Sequence, residues 1–249
     1  MYLPALAALC ARNPGSALRL TPAPQTTDRG TSLLTLHTMF GARSRIFDLL
    51  DASSETALHA ARAARELAHG MPARAAGETD FAPSLAACGA ARRREKELAA
   101  EISQELVTTF VTVLDREDVE AMNAALARIP KTIAKFAARY ALVAGRLDGV
   151  DFGPRIEILV GCAEIVAKMV AELRHGLRLV PLRGLQRQLQ ALESEADDLL
   201  LDPYRDLYLS AADPMRAVLA KDLFETLEDA IDRCRDVGNV IYAVVLKNH

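Results

Sequence analysis

Two acidic pairs offer the clearest chemistry in this sequence. Glu193-Ser-Glu-Ala-Asp197 and Glu228-Asp-Ala-Ile-Asp232 each hold two carboxylates four residues apart, a spacing that sets both on one face of a helix. Glu225 and Asp236 extend the second stripe. The apolar seam of that segment (Leu223, Leu227, Ala230, Cys234, Val237, Ile241, Val244) lies beside the acids rather than opposite them. Two such segments packed antiparallel would therefore bring four carboxylates together. Convergent carboxylates repel unless protonated or bridged by a cation, and hard cations such as iron, manganese, magnesium or calcium take such oxygen ligands. The plainer alternative is an acidic solvated face, offset in part by Arg233 and Arg235.

Other constellations are weaker. Glu66/His69 and Glu172/His175 have the E-x-x-H spacing of di-iron bundles, but each sits just before a glycine, Gly70 or Gly176. A histidine in a last helical turn followed by glycine is what helix termination asks for, so capping explains both. Arg92-Arg-Arg94 with Lys96 is a basic run suited to a solvated face or an anion. No G-x-S-x-G elbow, Cys/His pair at useful spacing or phosphate-cradling glycine loop occurs, which leaves nucleophilic catalysis without support.

The elements that must position these residues are helices throughout. The first is expected over about 44–69, stopping at Gly70, and the second over about 84–112 after Pro83-Ser84. Asp115-Arg-Glu-Asp118 supplies a helix start with acids in the first turn, and this third helix runs to about Leu147 with a bend at Pro130. Gly153-Pro154 opens the fourth helix and Gly176 closes it. A fifth covers about 182–210, kinked at Pro203, and Asp213-Pro214 opens the sixth, which reaches almost to the end. Several exceed roughly 40 Å at the helical rise, the geometry of long antiparallel bundles.

The 249 residues are 51% hydrophobic and 25% charged, enough apolar material for one large domain or two small ones. The net charge of −3, 5% aromatic content and absence of Trp argue against a nucleic-acid binder or a stacking platform. No apolar run is long enough to span a bilayer. Cys10, Cys88, Cys162 and Cys234 are widely spaced, as expected of idle thiols in the reducing cytoplasm. The charge is unevenly divided: +2 over residues 1–38, zero over 39–150 and −5 over 151–249. Residues 1–38, with four prolines, read as a mobile tail.

There is also an internal echo. Glu66-Leu-Ala-His69-Gly70 recurs as Glu172-Leu-Arg-His175-Gly176, and the following helices match at an offset near 101, with Leu106 on Leu207 and Leu126 on Leu227. An all-α chain of two tandem three-helix bundles, 39–150 and 151–249, is the economical account.

Ile46-Phe-Asp-Leu-Leu50, Thr109-Phe-Val-Thr-Val-Leu-Asp-Arg-Glu-Asp118, Leu192-Glu-Ser-Glu-Ala-Asp197 and the run from Leu227 to Ile241 (LEDAIDRCRDVGNVI) resemble the PhoU-like family. More narrowly, they resemble its branch of Pit-type phosphate-transporter accessory proteins, over about residues 39–249. The resemblance implies tandem three-helix bundles and a cytoplasmic accessory protein, peripheral at the inner face of the membrane. Its partner would be an inorganic-phosphate permease, and its work would be binding rather than turnover. It also implies metal binding through E/D-x-x-x-D motifs, carried here by Glu193, Asp197, Glu228 and Asp232, with Glu225 and Asp236 as extras.

The first repeat departs from that pattern. At the 101 offset its positions are Arg92, Lys96, Ala127 and Lys131, with Arg128 alongside. At most one site for a divalent metal or iron is therefore expected. Arg92, Lys96, Arg128 and Lys131 become candidates for anion binding or for pairing with acids. Met39-Phe-Gly resembles the family's usual start, which marks residues 1–38 as an upstream extension, not necessarily translated. A metal-dependent enzyme and a ligand-free structural bundle stand as the alternatives, with self-association open to each.

Overall fold

The computed structural model describes residues 29–70, 81–109, 114–199 and 213–248, with side chains from residue 45 onward in the first helix. Within them the regular structure is helical: α1 (Arg29–His69), α2 (Ala82–Thr108), α3 (Arg116–Leu126), α4 (Arg128–Val143), α5 (Gly153–Arg174), α6 (Leu179–Asp198) and α7 (Pro214–Lys247). A short 3-10 turn at Ala144–Arg146 closes α4. No strand occurs among the described residues, so the all-α expectation holds.

The chain lays down three rods twice: α1, α2 and the pair α3–α4, then α5, α6 and α7. α1 packs on α2 and on α5, α6 on both α5 and α7, and α4 on α7. The reason lies in the side chains each helix offers. α1 presents an alanine face of Ala57, Ala60, Ala61, Ala63 and Ala64, all buried, and small residues let neighbouring helices approach closely. α5 is apolar almost all round, with Ile156, Leu159, Val160, Ile165, Val166, Met169 and Val170 buried, the pattern of a helix enclosed by others. α1, α6 and α7 do the enclosing.

An aromatic cluster ties the first rods to the second at one end. Phe152, just before α5, lies 4.5 Å from Phe224 of α7, 5.7 Å from Tyr140 and 6.2 Å from Phe136 of α4, ring centre to ring centre. Exposed ion pairs such as Arg62–Glu164 (3.1 Å) and Arg139–Asp222 (2.8 Å) run along the same seam. Each is worth at most about 1 kcal/mol, whereas one buried Phe or Leu contributes roughly 1.5–3 kcal/mol. Apolar burial holds the two halves together.

Several boundaries differ from the sequence expectation: α2 ends at Thr108, with Thr109 already extended, rather than at about 112, and α6 ends at Asp198 rather than at about 210. α1 begins at Arg29 rather than near residue 44, so residues 29–38 are helical and not tail. The missed signal is Leu33, Leu36, Phe40 and Phe47, which repeat the helical period beyond the last proline at Pro24. The expected bend at Pro130 is a break at Ala127, between α3 and α4. Pro130 has no N–H to give the Leu126 carbonyl and its ring crowds that oxygen, so the helix parts one turn upstream. Pro203, Cys10 and residues 1–28 of the expected extension lie outside the described residues.

Candidate functional site

Glu193 and Asp197 lie near the C-terminal end of α6 and Glu228 and Asp232 near the middle of α7, on helices packed against each other. The expected convergence is therefore present. What fills it is arginine. Arg235 of α7 pairs with Glu193 across the helix interface and, at 3.1 Å, with Asp232 one turn back. Arg155 enters from below, at the start of α5. Its side chain is 2% exposed, its Nη2 donates to the Ala196 carbonyl at 2.8 Å, and its Nη1 stands 3.6 Å from Glu228 Oε2. The guanidinium also lies 5.3 Å from the centre of the Phe224 ring, within cation–π range.

The electrostatics follow from that crowding. Burial pushes the Glu228 carboxyl up to about 7, helped by its hydrogen bond with Asp197 and by the nearby Asp197 and Asp232 charges, and opposed by Arg155. Burial also raises Asp232, with Arg235 and Arg233 opposing and Glu193 and Asp236 adding. The proposed extras stand apart. Glu225 is taken by Lys221 on its own helix, and Asp236 by Arg233 at 2.8 Å.

A metal ion fits this arrangement poorly. Two guanidinium groups already sit where a bridging cation would sit, and among the described residues no three His, Cys, Asp or Glu side chains are placed to hold one metal ion. The donor set is chemically right for a hard cation, but Glu193, Asp232 and Glu228 already pair with arginine and Asp197 shares a hydrogen bond with Glu228.

The E-x-x-H pairs sit at helix ends as the capping explanation requires. His69 closes α1 and faces Glu157 of α5 at 3.7 Å; His175 caps α5. Gly176 follows with φ of +107°, a backbone conformation that side-chain-bearing residues resist. The Asp115-Arg-Glu-Asp118 turn is likewise structural. Lys247, at the far end of α7, reaches Asp115 at 2.5 Å and Asp118 at 3.1 Å.

The basic residues of the first rods lie on two helices in contact: Arg92 and Lys96 on α2, Arg128 and Lys131 on α4, all exposed. None of the four has an ion-pair partner among the described residues. The carboxylate they do not reach is Glu95, which sequence reasoning passed over within the basic run. It points inward, 2% exposed, and accepts a hydrogen bond from the Ser53 hydroxyl of α1 at 2.7 Å. Burial pushes it up to about 7, against the pull of Ser53 and Arg94. The available signal was its spacing: Glu95 falls three before Leu98 and seven before Ile102, on the buried stripe of α2.

No protein-family model matches the chain. It is 25% identical over 216 residues to a Rhizobium meliloti (strain 1021) protein that carries the name Pit accessory protein, covering 82% of this chain and 94% of that one. It is 23% identical over 145 residues to the UPF0111 protein YkaA of Bacillus subtilis (strain 168), covering 58% and 70%. A PhoU-like protein from Shewanella oneidensis MR-1 has a similar structure, with a TM-score of 0.69, 17% identity and coverage of 81% and 99%. A second Shewanella oneidensis MR-1 structure, described as a PhoU-like phosphate regulatory protein, gives 0.67 at 18% identity with the same coverage. The fold is PhoU-like, and the resemblance read from the motifs to PhoU-like Pit accessory proteins holds in both sequence and architecture.

Proposed function

We propose that this chain is an accessory protein of inorganic-phosphate transport that acts by binding a Pit-type permease at its cytoplasmic face. The observation that carries this is the likeness, along most of both chains, to a protein named for that role. The shared fold with a protein described as a phosphate regulator supports it. Among the described residues no helix is long and apolar enough to cross a membrane, and we place the contact at the surface of the bundle.

We further propose that the chain works by docking rather than by turnover. The best candidate for a reactive cluster is committed to ion pairs: Glu193 and Asp232 to Arg235, and Glu228 to Arg155. In this reading arginine is the cation of the α6–α7 cluster, and the carboxylates set the shape and charge of a docking face. Electrostatic complementarity of that kind confers specificity and encounter rate more than raw affinity.

Co-purification tests the partner. The permease encoded in the same genome, solubilised in mild detergent, is expected to retain the full chain on a column at physiological salt. Failure to retain it, with the permease shown to be folded and the chain monodisperse, overturns the reading.

A further inference from the structure

A groove of about 490 Å³ runs between α2 and α4. Its floor is made of small residues, Gly89, Ala134 and Ala138, and its α2 rim of Arg92, Arg93 and Lys96. Lys131 and Lys135 stand three residues before Ala134 and Ala138, the spacing that places them on the same face of α4. Arg128 continues the row one turn further. α4 contains no acidic residue at all. All six cations are exposed, and none has an ion-pair partner among the described residues.

Density sets the groove apart: Arg183 and Arg187 of α6 also have no ion-pair partner among the described residues, but they stand on a single helix. Arg62, Arg139, Arg155, Arg174 and Arg235 are each neutralised by a carboxylate of another helix. Six unneutralised cations gathered on two adjacent helices repel one another, and a bound anion would relieve that repulsion.

We propose that this groove binds a linear anion of several linked phosphoryl groups. Guanidinium groups match phosphoryl oxygens in pairs, and lysines add mobile point charges. The row from Arg128 to Lys135 extends about 10 Å along the helix axis, further than one phosphate ion reaches. Among the described residues no aromatic ring lines the groove, so none of them stacks on a nucleobase. The site selects charge density along a chain. An acidic peptide is the less suitable occupant, because the glycine–alanine floor offers its side chains little but Leu85 to pack on.

Titration calorimetry of the full chain with sodium tripolyphosphate at low ionic strength tests this. Saturable binding is expected that weakens as salt rises, with ATP binding about as well and orthophosphate more weakly. K131E/K135E should weaken it by about tenfold or more, equivalent to about 1.4 kcal/mol. R183E/R187E on α6 should leave it unchanged. Should the α4 variant fail to fold, R92Q/K96Q carries the same test. Absence of saturable binding at millimolar tripolyphosphate overturns the proposal, as does equal loss in the α6 control. Tighter binding of a poly-glutamate peptide than of tripolyphosphate also overturns it, in favour of an acidic protein segment.

Discussion

Arg155 lies beneath the α6–α7 carboxylates, buried, bonded to the Ala196 carbonyl and set close to the Phe224 ring. Removing one partner of a buried pair is costly because the other charge stays behind. Arg155→Met is expected to destabilise the fold by about 3–5 kcal/mol, read from urea unfolding. Arg155→Met with Glu228→Gln should lose clearly less than the two single losses added, and simple additivity would contradict the pairing. The carboxylate motifs were legible in the sequence because four-residue spacing is a helix property. Arg155 was not, because it reaches the cluster from a third helix that no spacing on α6 or α7 points to.

Glu95 gives a pH prediction of definite sign. Unfolded, the carboxyl titrates near its usual value of 4.5; folded, it holds its proton up to about 7. Between those values the native state binds more protons than the unfolded state, so stability falls as pH rises through that window and levels off above it. Full ionisation of Glu95 costs at most about 3 kcal/mol. Glu95→Gln keeps an acceptor for Ser53 and should raise the melting temperature at pH 8 while changing it little at pH 4.5. An equal effect at both pH values would contradict the assignment. Glu228 contributes in the same window and remains in that variant, so the slope is expected to diminish rather than vanish.

At the scale of elements, packing accounts for part of the C-terminal signature. A Cβ added at Gly238 of α7 would meet Leu189 Cδ2 at 2.5 Å and Gln186 Oε1 at 2.8 Å, both on α6. Asn239, the next residue, accepts a hydrogen bond from Gln186 Nε2 at 2.7 Å. Gly238→Ala therefore requires the Leu189 and Gln186 side chains to shift and should cost about 1–3 kcal/mol, measured by thermal unfolding; an unchanged melting temperature would show that these side chains give way freely. Helix ends marked by Gly70, Gly176 and Asp213-Pro214 were readable because capping chemistry is local. The start of α1 was obscured by the prolines before it. The inter-helix partners of Gly238 and Lys247 depend on tertiary packing, which local pattern does not encode.

For the whole molecule, the near-neutral total charge hides two unlike surfaces. The rods α2 and α4 carry exposed cations without ion-pair partners among the described residues, with Arg92, Arg93 and Lys96 lining the groove, while on α6 and α7 Glu193 and Asp232 pair with Arg235 and Glu228 with Arg155. At the 101-residue offset, Glu193, Asp197 and Asp232 correspond to Arg92, Lys96 and Lys131, and Glu228 to the uncharged Ala127, so the two surfaces present different chemistry. The proposed docking role makes the permease the partner to test. Radiolabelled phosphate uptake in the native host, with the chain deleted and then restored, tests that role most directly. Uptake through the Pit-type permease is expected to change on deletion and to recover with the restored chain, and to be insensitive to the chain once the permease is also deleted. Unchanged uptake on deletion, with the permease present and active, would contradict it.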